Sequence, residues 1–100
     1  TNYPRYYRFF DDYDNGEIFR STLARFERFG IADLSWKNDT CPSMGNKWAR
    51  LWVDYADPQK RESEAMSQYC VTTYDELENM TSIREFDNLI DAMIYFRSMI

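Results

Sequence analysis

The sequence predicts an α+β domain: an antiparallel sheet of three or four strands with two helices packed on one face. Three observations predict it. Residues 47–55 alternate with a period of two, residues 17–29 carry apolar side chains at helical spacing, and residues 83–99 do the same over a longer stretch. Strand-like runs broken by two helices favour this architecture over an all-helical bundle.

Residues 47–55, KWARLWVDY, are the expected central strand. Ala49, Leu51, Val53 and Tyr55 fall on one side, and Trp48, Arg50, Trp52 and Asp54 on the other. The first face suits a core under helices. The second, with Trp48, Arg50 and Trp52, is the first candidate for a binding surface, and its competing assignment is a second half of the core covered by the aromatics at positions 6–10.

Upstream, residues 2–10 (NYPRYYRFF) read as a strand, with Pro4 restricting its start and a short helix as the alternative. Residues 11–16, DDYDNG, present a fork. Asn15-Gly16 is a hairpin signal, whereas Asp14 with Glu17 reads as a capping box ahead of Ile18, Phe19, Thr22, Leu23, Phe26 and Phe29. The helical spacing runs for three turns, Arg25 and Arg28 suit the dipole of the last turn, and Gly30 stands at C′, so a helix over 17–29 is the expectation. Residues 31–36 form a short apolar alternation that fits a strand, and residues 38–46, with Pro42 and Gly45, read as a loop.

Downstream, Asp57-Pro58 caps a short helical turn in a polar stretch, and residues 68–74 (QYCVTTY) form a strand antiparallel to the central one. Residues 75–79, DELEN, make an acidic connection. Ser82 with Glu85 then reads as a capping box, and Phe86, Leu89, Ile90, Met93, Phe96 and Ile100 trace an apolar stripe, predicting a helix over 83–99 with Phe86 and Phe96 buried.

One hundred residues make a single domain, 1–100, and 44% hydrophobic with 18% aromatic residues is a folding composition. No apolar run approaches the roughly 20 residues of a membrane span, and no basic-then-apolar stretch reads as a signal peptide. A cytoplasmic protein is the expectation. The sequons at Asn38 and Asn79 therefore read as chance. Cys41 and Cys70 make at most one disulfide, and read more simply as an incidental thiol in a loop, Cys41, and a buried small hydrophobe in a strand-like run, Cys70.

The chemistry that the composition excludes is broad. With no histidine and two cysteines, a structural zinc site lacks ligands and Ser-His or Cys-His nucleophilic pairs are impossible. An EF-hand starting at Asp11 would place Gly16 correctly, but Tyr13 and Thr22 stand where ligands are required. The three glycines form no phosphate-cradling motif. The expectation is a protein with no cofactor and no enzymatic activity.

The net charge of −5 is uneven: residues 1–50 hold 8 Lys and Arg against 7 Asp and Glu, residues 51–100 hold 4 against 10, giving +1 and −6. Acidity opposes nucleic-acid and anionic-membrane binding and favours a basic protein surface as partner. The carboxylates expected to engage it are Asp54, Asp57, Glu62 and Glu64 at the exit of the central strand, and Asp75, Glu76 and Glu78 before the last helix, at opposite ends of the hairpin. Together with Trp48, Arg50 and Trp52 they form the candidate binding set, an aromatic anchor flanked by steering charges. The RYYRFF and KWARLW runs also have the look of a single-strand nucleic-acid binder, the alternative function.

In size, acidity, missing histidines and lack of a catalytic motif the chain resembles the small phage-encoded inhibitors of host defence, anti-CRISPR proteins among them. The resemblance is of character and covers no alignable motif, so it assigns no residue roles; antitoxins and bacteriocin immunity proteins share that character. It implies a protein that blocks a host protein or nucleoprotein complex by occupying a basic surface; a monomer or homodimer is the expectation, in the host cytoplasm if the protein is phage-encoded.

Overall fold

The structure, a computed structural model, describes residues 14–100. The aromatic segment 2–10 lies outside them, and with it the expectations that it forms a strand and that residues 6–10 cover the second face of the central strand. The order of elements is α1 (Gly16–Phe26), a 3-10 turn (Glu27–Phe29), β1 (Ala32–Asp33), β2 (Ser43–Gly45), β3 (Ala49–Val53), a 3-10 turn (Pro58–Lys60), β4 (Tyr69–Tyr74), β5 (Met80–Phe86) and α2 (Leu89–Met99). The strands form one antiparallel meander in the order β1-β2-β3-β4-β5, which places β3 in the middle as its alternation predicts. The α+β class therefore holds, with five strands among the described residues instead of three or four.

Both helices pack on one face. Ala49, Leu51 and Val53 of β3, Val71 of β4, and Met44 of β2 point into it and are fully buried, where they meet Phe19 and Phe26 of α1 and Ala92 and Phe96 of α2. The rings of Phe26 and Phe96 meet edge to face at 5.0 Å, which joins the two helices over the sheet.

Helix α1 follows its apolar spacing: Phe19, Thr22 and Phe26 are buried, and Gly30 ends it in the left-handed conformation at φ 81°. Its expected capping box does not form. The N-cap is Asn15, whose side-chain amide donates to the Asp54 carbonyl at 2.6 Å, while the Asp14 carboxylate accepts from the Ala56 amide at 3.1 Å. The start of the helix is thus tied to the end of β3 through long-range bonds.

The predicted helix over 83–99 is corrected. Residues 80–86 are strand β5, paired in register with β4 from Tyr69↔Phe86 to Tyr74↔Met80. Helix α2 begins at Leu89, capped by the Asn88 side chain, which accepts from the Asp91 amide at 3.1 Å. The residues of the expected capping box are used otherwise: the Ser82 hydroxyl pairs with Thr73 at 2.5 Å, and the Glu85 carboxylate accepts from the Ser67 amide at 2.8 Å. A side-chain cap is worth about 1 kcal/mol, whereas leaving the edge of β4 without a partner exposes a whole row of backbone donors and acceptors. In consequence Ile90 faces outward, 61% exposed, and Phe86 is only half-buried, against the ring of Tyr95 at 5.5 Å.

The loop expected over 38–46 contains β2, and the strand expected over 31–36 shrinks to β1. Pro58–Lys60 forms the expected turn, with the Asp57 carboxylate accepting from the Gln59 amide at 2.9 Å. No helix among the described residues is long and apolar enough to cross a membrane.

Candidate functional site

The face of the sheet turned away from the helices carries the aromatic and cationic side chains of β3. Ladder register places Arg50 beside Thr72 and, one strand further, Ile83, and Trp52 beside Cys70 and, one strand further, Glu85. Trp52 is half-buried, and its indole donates to the Thr72 hydroxyl at 3.0 Å, which in turn shares a hydrogen bond of 2.9 Å with the Tyr74 hydroxyl. The Arg50 guanidinium lies 5.3 Å from the Trp52 ring and 6.0 Å from the Tyr74 ring, so it is held by two π faces at the outer limit of useful cation–π distance. Its Nε is buried with no hydrogen-bond partner among the described residues. Trp48, just before β3, is 39% exposed and lies under Lys47 at 4.5 Å.

Next to this ladder is an apolar concavity of about 310 Å³. Trp52, Cys70, Met80 and Ile83 belong to its sheet side, and Met66 and Glu62 close it from the long β3–β4 connection. Met80 and Ile83 are more than half exposed, at 52% and 59%. The carboxylates nearest the floor show in the thiol chemistry: Cys70 is pushed up to about 11 by burial, then by the charges of Glu85 and Asp54. Burial also pushes the Cys41 thiol up, with the Asp54 charge adding to it. Both cysteines are free, Cys41 buried and Cys70 half-buried, so it is the loop cysteine that fills the role of buried hydrophobe. Both are thiols at neutral pH, so alkylation by iodoacetamide is expected to be slow in the native protein, with Cys70 modified before Cys41, and fast for both in urea. Native labelling as fast as that of a free cysteine peptide would refute this.

The seven acidic candidates divide by environment. Asp54 is buried, its carboxylate accepts from the Tyr55 amide at 2.8 Å and its backbone carbonyl holds Asn15, so it reaches the surface only as part of the lining of the concavity. Asp57 caps its own turn, and Asp75 accepts from the amides of Leu77 and Asn79, both at 2.9 Å, closing the β4–β5 turn. Glu62, Glu64, Glu76 and Glu78 are exposed. Register puts the two groups at opposite ends of the β3–β4 hairpin, as expected, since Val53 pairs with Tyr69 and Ala49 with Thr73. The second group is not purely acidic surroundings: Glu78 shares a polar cleft of about 210 Å³ with Lys47, Arg50 and Tyr74.

Asp54 and Asp75 titrate in opposite senses. Burial raises Asp54, so the folded state holds that proton more tightly than the unfolded chain, and the resulting stability is present in acid and lost as pH rises above about 4. The Asn79 amide, then Leu77, hold Asp75 below the usual carboxylate value, so its contribution is present near neutrality and lost as pH falls below about 4. Urea midpoints measured across acid pH should therefore show Asp75→Asn flattening the acid loss and Asp54→Asn removing the decline at higher pH. Profiles parallel to the parent would contradict these assignments.

Trp48, Arg50 and Trp52 are candidates from the strand alternation alone; Thr72, Tyr74, Cys70, Met80 and Ile83 join the same face only through strand pairing. The alternation of 68–74 put Cys70, Thr72 and Tyr74 on one side, a signal that pairing with β3 turns into a surface; Met80 and Ile83 were hidden by the helical reading. No group of three or more Cys, Asp or Glu residues among the described residues is arranged to hold a metal ion. Compared with known proteins, the chain matches no family, no curated protein and no solved structure.

Proposed function

We propose that the protein is a non-catalytic binding protein that inhibits a nucleic-acid-handling protein or complex by occupying a basic surface of it, as anti-CRISPR proteins do. The observation that carries this reading is the apolar concavity at Trp52, whose lining includes Glu62 and Asp54. Such a site takes an apolar side chain flanked by Lys or Arg. Desolvated aromatic anchors dominate interface energies, while exposed rim charges mainly set the association rate. Glu62, Glu64 and the net charge of −5 supply the steering.

The test begins with capture of the partner from host lysate with and without nuclease. Trp52→Ala is expected to leave the core intact, because the side chain lies on the face opposite the helices, and to weaken binding by about 2 kcal/mol or more. Glu62→Gln with Glu64→Gln is expected mainly to slow association. A folded Trp52→Ala protein that binds as tightly as the parent would overturn the anchor. A second reading is favoured by the pairing of Lys47 with Trp48 and of Arg50 with Trp52 and Tyr74, a spacing of cations and rings that suits single-stranded nucleic acid. Direct binding of an oligonucleotide, with capture abolished by nuclease, would select that reading over the first.

A further inference from the structure

The helical side of the molecule holds a second surface of opposite character, separate from the sheet face. Between the C-terminal part of α1 with its 3-10 turn and the outward side of α2 runs a groove of about 390 Å³. Ile90 and Ile94, one helical turn apart, are 61% and 66% exposed, and Phe29 is 36% exposed beside them. Three guanidiniums line the same groove: Arg25, Arg28 and Arg97. Arg97 lies 4.2 Å and Arg28 4.9 Å from the centre of the Phe29 ring. Among the described residues none of the three has a carboxylate within 4 Å. A quarter of all the cationic side chains of an acidic protein thus converge on one apolar groove without an anionic partner among the described residues.

The charge restricts what can cover it. Two copies of this face related by a two-fold axis would bring six guanidiniums together, so isologous pairing is disfavoured. A polyanionic strand is repelled by the net charge of −5 and leaves Ile90 and Ile94 without apolar contacts. The complement is an apolar knob flanked by carboxylates, and the chain itself presents one. In the turn between β4 and β5, Leu77 is 81% exposed, with the exposed carboxylates of Glu76 and Glu78 on either side. The turn is already ordered: Asp75 accepts from Leu77 and Asn79, its own amide donates to the Asn79 carbonyl at 2.9 Å, and Glu78 is fixed in the left-handed region at φ 64°. Presenting Leu77 from such a turn costs little conformational entropy on binding. The exposures of Leu77, Ile90 and Ile94 show that the two features do not meet within one molecule.

We propose that the groove receives the acidic turn 75–79 of a second copy of the chain, with Leu77 against Ile90, Ile94 and Phe29 and with Glu76 and Glu78 against Arg25, Arg28 and Arg97. The contact is heterologous, so each copy offers one groove and one turn and association continues head to tail. A turn in a groove buries less than the roughly 1,000 Å² of a stable interface, which makes the association transient and concentration-dependent.

Sedimentation equilibrium over a range of protein concentrations, at low and high salt, tests this. The weight-average mass should rise with concentration and fall with salt. Leu77→Ser and the pair Arg28→Glu with Arg97→Glu should each weaken association by about tenfold or more. Equal parts of the two variants, one keeping only its groove and the other only its turn, should form a species of two chains and nothing larger. Three results would overturn the proposal: a parent protein monomeric throughout, association indifferent to Leu77→Ser, or a variant mixture that stays monomeric. All the substituted side chains are exposed, and urea midpoints equal to the parent's confirm the fold; if the double arginine variant is destabilised, Leu77→Ser alone decides.

Discussion

Phe96→Ala is expected to cost about 4 kcal/mol of stability, a large share of the 5–15 kcal/mol typical of a domain of this size. Phe96 is fully buried and stands where the two helices and the sheet converge, with the Phe26 ring at 5.0 Å. Truncation removes the transfer energy of the ring and leaves a cavity that α1 and α2 cannot both close, because each is also held to the sheet by Phe19 or Ala92. The urea midpoint should fall by about 2–3 M if the slope is ordinary for this length. Phe86→Ala, by contrast, should cost only about 1–2 kcal/mol, since that ring is half-buried at the end of β5 and rests on Tyr95. Equal losses from the two would mean that the core is not centred between the helices.

Gly45→Ala should be the next largest effect, at about 3 kcal/mol. A Cβ at this position would lie 2.3 Å from the Ala49 carbonyl oxygen and 3.0 Å from the Arg50 Cα, both backbone atoms that no rotamer change can move. The short connection is already tight: Asn46 donates its amide to the Ala49 carbonyl at 3.1 Å, and its side chain accepts from the amides of Trp48 at 2.8 Å and Ala49 at 3.1 Å. Relief would require β2 and β3 to separate at Gly45↔Arg50, which also displaces Arg50 from the Trp52 and Tyr74 rings. Gly30→Ala is the control. Its φ of 81° costs a side chain about 1–2 kcal/mol of backbone strain, but nothing lies within 4 Å of a Cβ there. Thermal or urea unfolding in which Gly45→Ala is no worse than Gly30→Ala would show that close approach is not what position 45 requires.

The parts of the fold legible in the sequence share a cause: their signal is local and periodic. The alternation of β3 predicts its inward residues, and Ala49, Leu51 and Val53 are each 0% exposed. The spacing of Phe19, Thr22 and Phe26 with Gly30 at C′ predicts α1 and its end. The same holds for the antiparallel pairing of β3 with β4 and for the Asp57-capped turn. β2 was hidden because three residues cannot display a period, and its composition, Ser-Met-Gly, is that of a loop. β5 was hidden because Met80, Ile83 and Phe86 recur every third residue and Ser82 with Glu85 imitates a cap, so two templates fit one stretch.

The candidate site divides along the same line. The sequence by itself determined that Trp48, Arg50 and Trp52 share a side of the central strand, and that the acidic groups stand at opposite ends of the hairpin, because a strand has a period of two and an antiparallel pair reverses direction. Only the tertiary structure decided that Asp54 is buried while Glu62 stays exposed, that Cys70, Met80 and Ile83 join Trp52 around one concavity, and that Arg25, Arg28 and Arg97 converge beside Ile90 and Ile94. These are contacts between residues distant in the chain. They follow from which strand β4 takes as its outer neighbour and from how two helices cross the sheet, and the energies of that choice come from long-range pairing and burial, which outweigh the local preferences a sequence pattern records.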